Sequence, residues 1–274
     1  MNAAPSASSM VTPVMCFDLD GVLWRGDDPI PGAAEGVAQV RDAGLRVAFL
    51  SNNSSMVLDD VVAKLDRAGV KAAPDEVLTS AIAAAALLQS SIPAGSRVLA
   101  CAGPGVVEAL DAVGMEVVRE PPAAAVVVGF HRTFDYEELE RTARAVREGA
   151  RFVATNMDAT YPVPGGLIPG AGSIVAAVAT ATGSRPEVAG KPEAPTVALV
   201  HDRLGTTGVV VGDRPSTDGA LADALGWPFA LVLSGVTAAV APPGGEAIPT
   251  PPPPYVASDV GDLAPQLIAA FVRD

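Results

Sequence analysis

The chain of 274 residues is long enough for one large core or two ordinary ones, and 49% hydrophobic against 18% charged residues describes a globular protein with ample core material. Its net charge of −13 argues against a nucleic-acid or anionic-membrane partner, and no apolar run approaches the roughly 18 residues that a membrane helix requires. The cysteines, Cys16 and Cys101, do not make a disulfide framework, so a reducing cytoplasm is expected.

The first ten residues have no basic start and no apolar core, so they do not read as a signal peptide, and residues 1–13 are expected to be a disordered tail. From there strand and helix patterns alternate, the signature of an α/β fold. A strand over Val14–Asp18 runs into Asp18-Leu19-Asp20-Gly21. A helix over Ala33–Ala43 and a strand over Arg46–Leu50 follow, ending at Ser51-Asn52-Asn53-Ser54. Helical spacing resumes over Val57–Ala68, then come Val77–Thr79 and the Ala-rich Ala81–Gln89. A second α/β set has strands at Arg97–Cys101, Ala125–Gly129 and Phe152–Thr155, with helices at Pro104–Val113, Tyr136–Glu148 and Ser173–Thr182. A third stretch returns with helix Pro195–Leu204, strand Gly208–Val211, helix Asp218–Leu225, strand Phe229–Leu233 and a strand–helix pair over Tyr255–Phe271. Seven prolines between Pro242 and Pro254 make that segment a stiff loop rather than a regular element.

Asp18 and Asp20 are the most informative residues. Positions i and i+2 of a strand share a face, so both carboxylates leave the strand end on one side, and Gly21 lets the backbone turn. Such a pair can hold a hard cation and still offer one carboxylate as nucleophile and the other as acid/base, although Asp-x-Asp-Gly is also an ordinary turn sequence. Three further segments lie where strand patterns end: Leu50-Ser51-Asn52-Asn53, Gly190-Lys191-Pro192, and the run from Val211 to Asp218. In open parallel sheets the loops after the carboxyl ends of the strands converge on the ligand. The pieces are complementary. Asp18 and Asp213 supply carboxylates for Mg²⁺; Ser51, Asn52, Asn53 and Lys191 can hold phosphoryl oxygens; Asp20 remains as the proton shuttle. Asp218 reads either as a metal ligand or as a helix-cap acid, and support of the ligands without direct coordination is its preferred role.

In this order the residues resemble the haloacid dehalogenase (HAD) superfamily. Asp-Leu-Asp-Gly-Val-Leu with Ser-Asn-Asn-Ser, Gly-Lys-Pro and Gly-Asp-Arg-x-x-Thr-Asp is similar to its NagD-like branch, over residues 14–270. The resemblance implies a Rossmann-like parallel-sheet core with a large inserted α/β cap. It also implies an aspartyl-phosphate intermediate on Asp18 and Mg²⁺ held by Asp18, Asp213 and the backbone carbonyl of Asp20. Spacing agrees: 33 positions separate Asp18 from Ser51, room for one helix and one strand, whereas 140 separate Ser51 from Lys191, so the insertion lies there. The expected division is a core of residues 14–79 and 186–274 with a cap of 80–185. Two places depart from the family wording: Asn156-Met157-Asp158 stands where Asn-Pro-Asp is usual, and Pro215-Ser216 where a Leu-led pair is common. Neither change removes a reacting group.

The expected activity is Mg²⁺-dependent hydrolysis of a small phosphorylated metabolite. Members of the branch act on polyol phosphates, phosphoglycolate, pyridoxal phosphate and nucleotides. With 4% aromatic residues and Tyr161 as the main ring near Asn156 and Asp158, a polyol phosphate such as glycerol phosphate is favoured over a stacked base or pyridine. Asn156, Asp158, Tyr161 and His131 are the candidate specificity residues, with a surface position as the alternative for His131. A phosphotransferase and a non-catalytic phosphometabolite sensor are the rival readings; a pure binder has no use for Asp20. Two histidines are too few for a histidine-based metal site or a Ser-His triad. Gly170-Ala171-Gly172 lacks the spacing of a dinucleotide loop and reads as a tight turn. Relatives that dimerise through the cap imply a homodimer here.

Overall fold

In a computed structural model, residues 12–163, 166–238 and 245–272 are described, so the first eleven residues of the expected tail, and Pro242 and Pro243, fall outside them. In chain order the first strands are β1 (Val14–Phe17), β2 (Arg46–Ser51) and β3 (Val77–Thr79). Then come β4 (Arg97–Cys101), β5 (Glu116–Val118), β6 (Ala125–Val128), β7 (Arg151–Ala154), the hairpin β8 (Thr160–Val163) and β9 (Gly166–Pro169), and β10 (Glu187–Val188). The last are β11 (Gly208–Gly212), β12 (Phe229–Val232) and β13 (Tyr255–Ala257). The helices are α1 (Ala33–Asp42), α2 (Leu58–Arg67), α3 (Ser80–Gln89), α4 (Pro104–Ala112), α5 (Tyr136–Arg147), α6 (Ala171–Thr182), α7 (Ala194–Leu204), α8 (Ala220–Leu225) and α9 (Val260–Phe271).

The α/β expectation holds, as two parallel sheets. The first has six strands in the order β13-β12-β11-β1-β2-β3, all parallel. Its central strand β1 is apolar and buried along its whole length because helices cover both faces. Period-two alternation sends Val14 and Cys16 into a core shared with α3, α7 and α8, and Met15 and Phe17 into a core shared with α1 and α9. The second sheet has five parallel strands in the order β10-β7-β6-β4-β5. Strand β10 belongs to it, two residues past the expected boundary at 185. Strands β5 and β10 have three and two residues, too short to carry a readable alternation.

The two sheets share a hydrophobic layer. Leu88 of α3 and Val106 and Leu110 of α4 join Val98, Val127 and Val153 of the second sheet to Val14 and Leu50 of the first in one continuous core. The opposite face of the second sheet is covered by α5 and α6 through Ala145, Val146, Val175 and Val178.

Two local expectations change. Residues 215–219 form a π-helical turn ahead of α8, where a helix was expected to start at Asp218. The proline-rich segment is not wholly irregular: Glu246–Ala247 pairs in parallel with Thr237–Ala238, and the Glu246 carboxylate accepts from Ser216 N at 2.9 Å. Both cysteines are free and buried. Among the described residues no helix is long and apolar enough to cross a membrane.

Candidate active site

Strand order in the first sheet reverses between β1 and β11, the position where open α/β sheets leave a crevice for ligands. Asp18 directly follows β1 and Asp213 directly follows β11, so sheet topology alone sets the two carboxylates side by side. The Asp18 amide extends the ladder to Val211 O at 2.8 Å. Gly21, at φ +87°, turns the chain at once, and a Cβ there would lie 2.5 Å from Asp213 Oδ2. At Gly235 a Cβ would lie 1.8 Å from the same oxygen. Both close approaches need glycine, and the second brings Val236 N to donate to Asp213 Oδ2 at 2.7 Å.

Lys191 reaches the site from the loop after β10 of the second sheet. Its ammonium donates to Asp18 Oδ1 and Asp218 Oδ1, each at 2.7 Å, and to Leu50 O at 3.3 Å. All three of its donors are therefore engaged, in a side chain that is only 4% exposed. Asn52 clamps the Lys191 backbone: its Oδ1 accepts from Lys191 N at 2.8 Å and its Nδ2 donates to Lys191 O at 3.3 Å. Asp218 is aimed by the π-helical turn, with Oδ2 accepting from Arg214 N at 3.1 Å.

Charge in this cluster is unbalanced. Carboxylate oxygens of Asp18, Asp213 and Asp218 all lie within 4.8 Å of one another, with the Lys191 ammonium as the one such cation among the described residues there. Burial raises the Asp18 pKa, and repulsion from Asp218 and Asp213 adds to it against the pull of Lys191. Burial and Asp218 likewise push Asp213 from 3.8 up to about 6. Burial would lower Lys191, but the Asp18 and Asp218 carboxylates outweigh it and hold the lysine firmly protonated. Oxygen-only donors with excess negative charge fit a hard divalent cation such as Mg²⁺.

Asp20 stands apart from that network. Its Oδ1 accepts from Trp24 Nε1 at 2.9 Å, and the Lys64 ammonium lies 4.6 Å above the Trp24 ring. Burial raises its pKa, with Lys64 and the Trp24 hydrogen bond opposing, which favours a carboxyl group that can carry a proton.

A cleft of about 260 Å³ opens over these groups, lined by loops that follow strands of both sheets. Ser51 accepts from Asn53 N at 3.0 Å, which leaves its own O–H free to donate. Asn53, expected at phosphate, directs its side chain to Tyr161 OH at 3.2 Å and to Ser55 N at 2.9 Å. Asn156 is buried and used at both ends: Nδ2 donates to Asn52 O at 2.7 Å and Oδ1 accepts from Asp158 N at 3.0 Å. Asp158 is freer, with one long contact of 3.4 Å from Asn52 Nδ2. Tyr161 is not the sole ring, because Phe130 stacks on it at 5.0 Å and also lines the cleft. Arg25 and Arg214 line it too. Arg25 and Phe130 were not singled out from sequence; a two-residue hairpin, Trp24–Arg25 with Asp28–Pro29, carries the first. His131 does not line the cleft. Its imidazole instead meets Cys101 and Glu138, because the chain after β6 delivers Phe130 and His131 to different neighbours.

Comparison with known proteins gives the family. Residues 15–116 match the family of haloacid dehalogenase-like hydrolases, and residues 188–263 match a second HAD-hydrolase-like family. The D-glycerol 3-phosphate phosphatase of Mycobacterium tuberculosis is 40% identical over 253 residues, covering 91% of this chain and 70% of its own length. A crystal structure of glycerol phosphate phosphatase from the same organism, in complex with magnesium, superposes with a TM-score of 0.82 at 38% identity, over 92% of this chain and 76% of that one. A p-nitrophenyl phosphatase from Archaeoglobus fulgidus superposes with a TM-score of 0.84 at 31% identity, over 93% of this chain and 99% of that one. The protein therefore belongs to the haloacid dehalogenase-like hydrolases.

Proposed function

We propose that the protein is a Mg²⁺-dependent phosphomonoester hydrolase that works through a phosphorylated Asp18, with a short polyol phosphate such as glycerol phosphate as substrate. The observation that carries this reading is Asp18 at the strand-order reversal, with one oxygen held by Lys191 and Asp213 beside it. The Asp18 and Asp213 carboxylates and the Asp20 backbone carbonyl would hold Mg²⁺, which neutralises charge between nucleophile and phosphate. An Asp18 oxygen attacks phosphorus in line, the bond to the leaving oxygen breaks, and the Asp20 carboxyl gives its proton to the departing alkoxide. Asp20 then takes a proton from the water that attacks the phosphoryl group on Asp18, which releases phosphate. The Ser51 hydroxyl is free to hold an equatorial oxygen, and the Lys191 ammonium, fixed on Asp18 and Asp218, offsets the charge of the phosphoryl group from where it stands. Asn52 fixes Lys191, and Asp218 helps to hold it.

Substrate choice rests on the other wall. Asp158 can accept from hydroxyl groups of the leaving alcohol, while Phe130 and Tyr161 cover one face of each other. The similarity to a D-glycerol 3-phosphate phosphatase supports the same choice. The division of labour we propose gives the chemistry to the first sheet and specificity to the second, with residues 14–79 and 186–274 as core and 80–185 as cap, except that the cap sheet also takes in β10 (Glu187–Val188) from beyond that boundary. A cytoplasmic site of action and a homodimer through the cap belong to the same reading.

The test is kcat/KM for glycerol phosphate, phosphoglycolate, pyridoxal phosphate and a nucleotide at fixed Mg²⁺, with and without chelator. Glycerol phosphate is expected to lead and chelation to abolish turnover. A tenfold preference for the nucleotide or pyridoxal phosphate over every polyol phosphate overturns the substrate assignment. Full activity in chelator overturns the metal. Glycerol added as acceptor is expected to yield no new phosphoester beyond a trace; a major product of that kind makes the enzyme a phosphotransferase.

A further inference from the structure

The second sheet has its own strand-order reversal. Read in chain order, its strands are β4, β5, β6, β7 and β10, and they lie in space as β10-β7-β6-β4-β5, so the order turns between β4 and β6. This is the doubly wound order in which a ligand crevice opens at the carboxyl ends of the first and third strands. Cys101 is the last residue of β4, and His131 follows β6 by three residues. Glu138, in the first turn of α5, completes a group whose donor atoms all lie within 4.8 Å of one another. We propose that Cys101, His131 and Glu138 form a binding site for a borderline-soft divalent transition ion, Zn²⁺ being the best fit.

The distances suit an ion at the centre. His131 Nε2 is 3.9 Å from Cys101 Sγ and 3.4 Å from Glu138 Oε2. Tetrahedral bonds of about 2.3 Å to sulfur and 2.0–2.1 Å to nitrogen and oxygen place such donors roughly 3.3–3.6 Å apart. Small side-chain movements therefore suffice. The remaining ring nitrogen is also provided for: His131 Nδ1 lies 3.2 Å from Thr133 Oγ1, an outer contact of the kind that orients a ligating imidazole.

Burial separates this group from a surface cluster. Cys101 is fully buried, and the side chains of His131 and Glu138 are 8% and 19% exposed. A second observation points the same way. Thr142, one turn beyond Glu138 on the same face of α5, is fully buried with its hydroxyl against the Cys101 thiol, so a polar group stands behind the sulfur. Binding displaces the thiol proton to solvent as the sulfur–metal bond forms, and a thiolate with an imidazole selects Zn²⁺ over Mg²⁺ or Ca²⁺. The low histidine count, which argues against a histidine-based site, does not bear on one that draws a single donor from each of three residue types.

The test uses the full-length protein with Mg²⁺ saturating the carboxylate cluster and a non-chelating reductant present. Co²⁺ is titrated in and then displaced by Zn²⁺. The expected result is a thiolate-to-cobalt charge-transfer band that saturates at one equivalent and is bleached by Zn²⁺. Such a band cannot arise from oxygen ligands, so the carboxylate site does not mimic it. Cys101→Ser should abolish the band, and Glu138→Gln should weaken Co²⁺ binding by about tenfold or more. Should Cys101→Ser fail to fold, loss of the band in His131→Gln serves in its place. No charge-transfer band in the folded wild-type protein overturns the proposal, and so does a band that survives in Cys101→Ser or His131→Gln.

Discussion

The two parallel sheets place polar clusters at the same topological address and fill them with opposite chemistry. At the reversal of the first sheet stand oxygen donors, Asp18, Asp213 and Asp218, with Lys191 threaded between them. At the reversal of the second stand a thiol, an imidazole and a carboxylate. The first set suits a small hard ion that leaves room for phosphate, the second a softer ion held in place. Strand order decides where a site can form; the residues that end the strands decide what it takes.

The sharpest way to break this comparison is to remove one site and read the other. Asp18→Asn should lower turnover of any phosphomonoester by on the order of 10⁴-fold or more, because an amide is a poor nucleophile and one metal charge is lost. The cobalt–thiolate band should be untouched in that variant. Steady-state kinetics and the absorbance titration on the same preparation check both halves, and a lost band would mean that the two clusters are not independent.

Asp20→Asn sharpens the comparison within the first sheet. Its side chain bonds to Trp24 rather than to the Lys191 network, so Mg²⁺ affinity should stay within about twofold while kcat falls by about 10²-fold or more. Calorimetric Mg²⁺ binding alongside kcat decides it; a near-normal rate removes Asp20 as the proton shuttle.

A smaller effect is expected where the sheets are tied together. Asn52, at the end of β2, grips the backbone of Lys191 through two hydrogen bonds, and its own carbonyl accepts from Asn156 of the second sheet's loop. Asn52→Ala should loosen Lys191 and cost about tenfold in kcat, equivalent to about 1.4 kcal/mol. A variant with unchanged kcat would show that Lys191 is positioned by Asp18 and Asp218 alone.

The same contrast explains what was legible in the sequence. Asp18, Asp20 and Gly21 fall within four residues, Ser51 ends β2 and Asp213 follows β11, so periodicity and local wording expose them. Lys191 stands out by its Gly-Lys-Pro setting alone, because β10 is too short to read. The Cys101–His131–Glu138 group comes from a strand end, a loop and a helix, at spacings that match no local motif. Only the order β10-β7-β6-β4-β5, set by β-pairing over long separations, brings these residues together. Phe130 was hidden for a related reason, since its stack on Tyr161 joins the chain after β6 to the β8–β9 hairpin. Asn53 and Asn156 were legible as polar residues near the site. Which partner each amide takes depends on contacts such as the 3.2 Å bond to Tyr161, which no spacing encodes.

The smallest expected effect concerns pH and the charge imbalance of the first site. In the metal-free protein the Asp213 pKa is raised from 3.8 to about 6, chiefly by burial and by Asp218, and Asp18 shifts in the same direction. Between those values the folded state keeps a proton that the unfolded chain has released, so more protons are bound in the folded form and stability falls as pH rises. The stability present below pH 3.8 is thus lost as pH passes through about 6, and above that it is level with respect to this group. Mg²⁺ on these carboxylates favours their charged form and removes the penalty, whereas at low pH protons already occupy them. Magnesium should therefore raise the melting temperature more at pH 7 than at pH 5, by a difference on the order of 1 kcal/mol, or about 2–4 °C. Thermal melts at both pH values, with and without Mg²⁺, measure that difference, and an equal gain at the two would show that the raised Asp213 pKa has no part in metal binding.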